Sequence, residues 1–510
     1  MKPVLTPEQA VELDRATQAR GVAASDLMDR AGRAVARAAV DLAGGTYGRR
    51  AVIVCGKGNN GGDGLAAARH LARWGASATV VMLEAGSDLR EPAATHLARL
   101  GEVDRVRIRP FSPATLEREI ARADVAIDAI FGTGFRGQPD DAWAEAIVGL
   151  GDVGVPVVAV DVPSGVDGAT GAVEGVAVRA DLTVTFGAAK VGAVLLPGGE
   201  YAGMLRVVDI GFPDDLIRAD AFVIEPADVR AALPVRDADT HKRASGVVLI
   251  VAGSREMPGA VRLIARAAGR IGAGLVTAAV PTSVLPVVAA GLTEATFRAL
   301  PETAEGTVSP AALPAILEAA ERADALAVGP GLSTHPETAA LVRELVRAAP
   351  VPLVLDADGL NAFAGRSADL EVREADAVLT PHAGEFTRLT GLEGSALARD
   401  RLGSVRGLAA SSGCTTLLKG SRTLVAEPRG AIAINPTGSA FLATAGSGDV
   451  LTGMIAGLLA RGTAPGDAAS AGAYLHGLAG RLAGRERGEG VVAGDLVDAI
   501  PDAVERVRDP

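Results

Sequence analysis

Short β-rich apolar runs alternate with helices built of Ala, Arg and Leu along nearly the whole chain. That alternation is the signature of parallel sheets carrying helices on both faces. In the first half the strand candidates are Ala51–Cys55, Thr79–Leu83, Val125–Ala129, Val155–Val160, Leu182–Phe186 and Val207–Ile210. Two helices precede them, the first opened by Thr6-Pro7-Glu8, with a capping Thr and Pro at the first helical position. The second opens near Ser25-Asp26. A break at Gly211-Phe212-Pro213 begins a stretch to Arg243 rich in Asp, Pro and Arg, read as a connection. A second series then runs through Gly246–Val251, Leu275–Val280, Ala325–Val328, Leu353–Leu355, Ala377–Leu379, Thr415–Leu418 and Thr423–Val425, with a mostly helical end from Gly446. The expectation is α/β throughout: one domain over residues 1–220 and a second over 221–510.

Composition excludes several functions. The chain has 510 residues and a net charge of −11, with no long basic run and only 3% aromatics. Nucleic acid and anionic membrane are therefore not expected partners. The two cysteines stand far apart, and the six histidines form no ligand-spaced cluster, which argues against a disulfide framework or a zinc site. No signal-peptide core or membrane-length apolar run is present, so a cytoplasmic enzyme is expected. Of 50 basic residues only Lys2, Lys57, Lys190, Lys242 and Lys419 are lysine, and four of them stand beside Gly-rich or His-containing segments. Arg and Lys are not interchangeable where a compact, flexible ammonium is needed, and chance placement is the lesser alternative.

Strand Ala51–Cys55 runs into Gly56-Lys57-Gly58-Asn59-Asn60-Gly61-Gly62-Asp63-Gly64, expected to form a loop before a helix at Leu65–Arg73. Strand, glycine turn and helix N-terminus together make a phosphate cradle. Glu84, at the end of the next strand, would suit a ribose in a plain dinucleotide site, but Asn59, Asn60 and Asp63 are unusually polar for such a loop. Their oxygens suit a hard cation or the amides and hydroxyls of a ligand. Asp128 and Asp161 end two further strands, each leading into a Gly-rich segment. A single Asp there is as often a turn former, but two raise the odds of a site.

These segments, with Leu27–Gly32 and Thr185–Lys190, resemble the motifs of the NAD(P)H-hydrate epimerase family over residues 1 to 215. The resemblance implies a Rossmann-like domain binding hydrated NADH or NADPH through Asn59, Asn60, Gly61, Gly62, Asp63, Gly132, Thr133, Gly134, Phe135, Arg136, Gly137, Gln138 and Asp161. It also implies a K⁺ site at Asn60, Asp128 and Ser164, a set of hard oxygen donors. Asp161 is the acid/base candidate.

In the second half, Ala445-Gly446-Ser447-Gly448-Asp449 leads directly into an apolar helix. The amides of such a loop can hold charge on a transferring phosphoryl group, and Asp449 is placed to take a proton from a hydroxyl. Simple N-capping is the bland alternative for Asp449. With Val328–Leu332, Asp356–Asn361, Thr380–Phe386 and Leu417–Thr423, this segment resembles the ribokinase-like ADP- or ATP-dependent NAD(P)H-hydrate dehydratases over residues 225 to 505. The resemblance implies hydrate contacts at Gly331, His382 and Asp449. It implies nucleotide contacts at Lys419, Gly420, Ser421, Arg422, Thr423, Ser447 and Gly448, with Mg²⁺ as charge partner. Ser439-Ala440-Phe441-Leu442 departs from the family's Asn-Pro-Gly-Met.

The implied function is repair of hydrated NADH and NADPH. The first domain would interconvert the C6 epimers, and the second would phosphorylate the C6 hydroxyl of the S form and eliminate phosphate. Small-molecule substrates and a homo-oligomer are expected. Rivals are a vitamin or sugar kinase fused to a non-catalytic NAD(P)-binding module, and a plain dehydrogenase, for which no hydride-transfer machinery is evident.

Overall fold

The computed structural model describes residues 1–151, 154–236, 239 and 241–509. The chain divides into two compact units, Lys2–Ala221 and Phe222 onward. The stretch expected to connect them is mostly built into them. The helix Pro226–Ala232 belongs to the second unit, where Val229 and Leu233 join its core. Positions 237, 238 and 240 of that stretch lie outside the described residues.

In the first unit the helix Pro7–Ala19 starts where the Thr-Pro pair predicts. Thr6 accepts from the Gln9 amide and Gln9 returns the bond to the Thr6 amide, a reciprocal cap. The sheet is wholly parallel, in the order Val106–Pro110, Ser77–Met82, Arg50–Cys55, Val125–Ala129, Val157–Val160, Leu182–Phe186, Met204–Val208. Chain order reverses between Arg50–Cys55 and Val125–Ala129, where an open α/β sheet leaves a crevice at its carboxyl edge. The helices Ala24–Ala43 and Asn59–Arg73 cross at Gly32, whose missing side chain makes room for Ala66: a Cβ there would lie 2.4 Å from that of Ala66.

The second unit repeats the plan: Thr296–Leu300, Leu275–Pro281, Val247–Val251, Ala325–Val328, Leu353–Leu355, Ala377–Leu379 and Thr415–Leu418 run parallel, with the reversal beside Val247–Val251. Leu424–Ala426 and Ile432–Ile434 are then antiparallel, a departure from the all-parallel expectation. The links 419–423 and 427–431 are too short for the crossover that parallel pairing requires. The helices Ser447–Ala460, Pro465–Arg487 and Ala493–Arg508 close the chain, and the first of these is buried along nearly its whole length.

Candidate active sites

In the first unit the helix begins at Asn59, not at Leu65. Asn59, Asn60, Gly61, Gly62 and Asp63 are therefore its first turn rather than a loop before it. Close approach explains the glycines: a Cβ on Gly61 would lie 1.9 Å from the Gly56 carbonyl oxygen, and one on Gly62 would strike Met28. Met28 belongs to Leu27–Gly32, so that motif is the wall behind the glycine turn. Its Asp29 holds Arg69 and His70, and its Arg30 donates to the Ile210 carbonyl.

Asn60, Asp128 and Ser164 do come together. Asp128, fully buried, accepts from the Ser164 amide at 2.8 Å, the Ser164 hydroxyl at 2.5 Å and the Ile130 amide at 3.2 Å. Asn60 donates to the Phe131 carbonyl at 2.7 Å, and its side-chain oxygen faces Gly132. Burial pushes the Asp128 carboxyl up to about 6, against the hydrogen bonds from Ser164 and Ile130. No cationic side chain is paired with it among the described residues.

Asp161 stands at the end of Val157–Val160 with a φ of +63°, a conformation Asp tolerates better than most residues. Thr185 donates to it at 2.8 Å, and the Lys190 ammonium lies 2.9 Å away. Lys190, 4% exposed, also donates to the Phe186 and Ala188 carbonyls. Asp14 and Asp63 share this field: burial first, then the Asp161 charge, raises both, Asp63 far above the usual range and Asp14 to about 6.

A cleft of about 1400 Å³ opens over these groups. Asn59, Asn60, Asp63, Asp161 and the Gly132–Arg136 segment line it, as do Gln138, Asp14 and Lys190. Gly137 turns that loop with a φ of +71°, and Phe135 stacks on Phe131 at 4.6 Å. Arg136 folds back onto the Thr133 and Phe135 carbonyls, and Gln138 donates to the Glu174 carbonyl. Glu84, the ribose acid of a plain dinucleotide site, is instead 3.6 Å from Lys57.

The second unit gathers its own cluster. Asp449 lies in the first turn of Ser447–Ala460, behind Gly446 at φ +84°. Asp356, at the end of Leu353–Leu355, accepts from Lys419 at 2.7 Å and from Thr452 at 2.7 Å. Glu385 stands 3.6 Å from the same ammonium. Burial disfavours the Lys419 charge, but Asp356 and Glu385 more than offset it and hold its pKa above the ordinary lysine value. Burial, reinforced by Asp356 and opposed by Lys419, raises Asp449 to about 7. A Cβ on Gly448 would lie 3.4 Å from the Lys419 nitrogen, which places that ammonium beside the helix start.

His382 caps the helix Ala383–Thr390 and reaches the cluster through Glu385, 3.4 Å from its ring. Gly331, at φ +71°, packs against Met257 and Gly253. The expected nucleotide loop divides. Lys419 turns inward, whereas Ser421 and Arg422 offer carbonyls to Arg401, Arg422 donates to Pro436, and Thr423 closes onto Gly420. The Ser447 hydroxyl is 3.1 Å from the buried His476 ring. In the atypical segment, Phe441 and Leu442 lie over Gly484 and Gly480 of Pro465–Arg487.

Known proteins resemble the chain along its full length. A family model described as NAD(P)H-hydrate dehydratase matches residues 248–502, and one described as YjeF-related protein N-terminus matches 24–192. The bifunctional NAD(P)H-hydrate repair enzyme Nnr of Moorella thermoacetica is 42% identical over 99% of this chain and 97% of its own. That of Thermofilum pendens is 40% identical over 98% and 95%. The chain belongs to the family of bifunctional NAD(P)H-hydrate repair enzymes. A ribokinase-like superfamily protein from Enterococcus faecalis V583 superposes with a TM-score of 0.50 at 24% identity, over 57% of this chain and 98% of that one. The second unit therefore has the ribokinase-like fold.

Within this family member, sequence reasoning missed Asp14, Asp356, Glu385 and Thr452 as parts of the two clusters. Asp356 and Glu385 stood in segments already singled out, and the scarcity of lysine pointed to Lys190 and Lys419. Asp14 carried no signal, because it lies mid-helix with no glycine or strand end beside it.

Proposed function

We propose that this chain repairs hydrated NADH and NADPH: its first unit interconverts the C6 epimers, and its second removes water from the S form at the expense of ADP or ATP. The observation that carries this reading is the pair of lysine–carboxylate clusters, one per unit, in a chain related end to end to bifunctional repair enzymes.

In the second unit Asp449 takes the proton of the C6 hydroxyl as its oxygen attacks the terminal phosphoryl group. A carboxyl raised to about 7 is matched to that task near neutral pH. Lys419 and the amides at the helix start receive the phosphoryl charge. Phosphate then leaves C6 with the electron pair of the C6–O bond, and loss of a C5 proton to water restores the C5=C6 double bond. A hydroxyl is a poor leaving group and phosphate a good one, which is the reason to consume a nucleotide. Mg²⁺ would come with the nucleotide phosphates and supply charge compensation for the transferring group.

In the first unit Asp161 works as an acid–base group beside Lys190, with Asn59–Asp63 and Gly132–Gln138 holding the hydrate. Asn60, Asp128 and Ser164 fit K⁺: they are hard oxygen donors, and Asp128 is a buried carboxyl group without a cationic side-chain partner among the described residues. A monovalent cation there would supply the compensating charge.

The test is recovery of NADH absorbance from chemically hydrated NADH. Complete recovery with ADP or ATP, and none without, is expected. Absence of nucleotide-dependent recovery would reject the function.

A further inference from the structure

The helix Pro7–Ala19 turns one row of side chains, Val11, Asp14 and Gln18, toward the cleft that holds Asp161. Spacings of three and four residues put them on one face. Asp14 has no hydrogen bond and no ion pair among the described residues. Its carboxyl interacts only through space, with Lys190 and Asp161 at the strand ends and with Asp63 on the helix Asn59–Arg73. Asp161, by contrast, is bound by Thr185 and Lys190. Of the carboxyl groups that line this cleft, Asp14 and Asp161 thus stand in opposite settings. Asp161 is tied to an ammonium and a hydroxyl, whereas Asp14 meets neither among the described residues and is free to turn its carboxyl to a ligand in the cleft.

Inverting C6 requires a hydroxyl to leave one face of the ring and a hydroxyl to arrive on the other, so two proton-transfer groups are needed. We propose that Asp14 is the second acid–base group of the epimerisation, the proton donor that works with Asp161. This rests on the reading that the first unit is an epimerase. Asp14 gives its proton to the C6 hydroxyl oxygen as the C6–O bond breaks. The N1 lone pair forms a C6=N1 double bond, and water departs. Water then adds to the opposite face of C6, its proton passes to the Asp161 carboxylate, and the N1=C6 electron pair returns to N1. Solvent in the cleft exchanges the proton back to Asp14. In the reverse direction the two residues exchange roles. Atoms balance and nothing is oxidised or reduced.

The experiment uses the full-length protein without nucleotide, so that dehydration is idle. It starts from one separated epimer and follows the appearance of the other by chromatography. Asp14→Asn should slow interconversion at least about a hundredfold, the scale for a positioned acid. The wild-type rate should fall as pH rises through about 6, where burial and the neighbouring charges place the Asp14 titration. In Asp14→Asn that limb should vanish. Asp14→Glu, which keeps the acid at a different reach, should be slower than wild type with its limb displaced. A wild-type rate in Asp14→Asn, or a slowed rate with the limb unchanged, would overturn the role. If Asp14→Asn does not fold, Asp14→Glu decides: a limb in the wild-type position overturns the proposal. A wild-type protein that does not interconvert the epimers at all rejects the epimerase reading itself, a distinguishable result.

Discussion

Lys419 lies 2.7 Å from Asp356 and 3.6 Å from Glu385, and its charge also lowers Asp449. Lys190 stands in the same relation to Asp161 and, through space, to Asp14. In each unit one ammonium thus opposes the effect of burial on neighbouring carboxyls: Lys419 on Asp449, and Lys190 on Asp14 and Asp63. A base must be ionised to accept a proton, and burial raises Asp449 to about 7. Nucleotide-dependent repair should therefore climb as pH rises through about 7 and level off above it. Asp449→Asn should cut that activity on the order of a hundredfold or more and remove the limb, while circular dichroism stays native, because Asn suits a first helical turn. Lys419→Met should push the limb to higher pH, since the influence that lowers Asp449 is gone. It should also cost roughly 3–5 kcal/mol in urea unfolding, because Asp356 is left buried without its cation. Asp161 calls for a particular substitution. Its positive φ is one that Asn also accepts, so Asp161→Asn changes charge with little backbone strain, whereas Ala would mix the two effects.

At the scale of the element, the turn of Gly56 into the helix Asn59–Arg73 is among the tightest places in the first unit. Gly61→Ala would drive a methyl group into the Gly56 carbonyl oxygen, so a loss of about 1–3 kcal/mol or more and a weakened hydrate affinity are expected. Thermal unfolding and titration with hydrated NADPH would measure these, and a variant with wild-type stability and binding would contradict the packing argument. The buried strands were legible because apolar runs bounded by glycine have few alternatives: Val125–Ala129, Leu182–Phe186 and Ala325–Val328 fall where the pattern sets them. Val106–Pro110 was not legible. It is an edge strand whose Arg107 and Arg109 face solvent, so it lacks the apolar run by which the others were found. The early helix start at Asn59 was hidden for a related reason. Glycines usually signal a turn, and only the backbone crowding around Gly56 shows that here they belong to a helix. Pairs of distant residues, such as Lys419 with Asp356, were beyond reach because sequence spacing says nothing of contacts between strand ends.

For the molecule as a whole, coupling two activities in one chain has a kinetic signature. A pocket that aligns the C6 hydroxyl with both Asp449 and a terminal phosphate accepts one epimer, since inversion swings the hydroxyl out of line. With excess nucleotide and a mixed hydrate, the wild-type chain should restore NADH in a single phase. Full-length Asp161→Asn should show a fast partial phase and then a slow one limited by uncatalysed epimerisation. Single-phase, complete recovery by that variant would remove Asp161 from the epimerase. The two cysteines allow the units themselves to be followed. Cys55 lies in the sheet of the first unit and Cys414 beside Thr415–Leu418 in the second, both fully buried, and burial raises both thiols above the ordinary thiol value, away from the reactive thiolate. The native chain is thus silent to alkylating reagents, and each thiol reacts only when its own sheet opens. Pulse alkylation along a denaturant series, read by mass spectrometry of the two cysteine peptides, yields two separate opening free energies from one unlabelled molecule: coincident curves would mean that the units melt together, displaced curves that one survives the other.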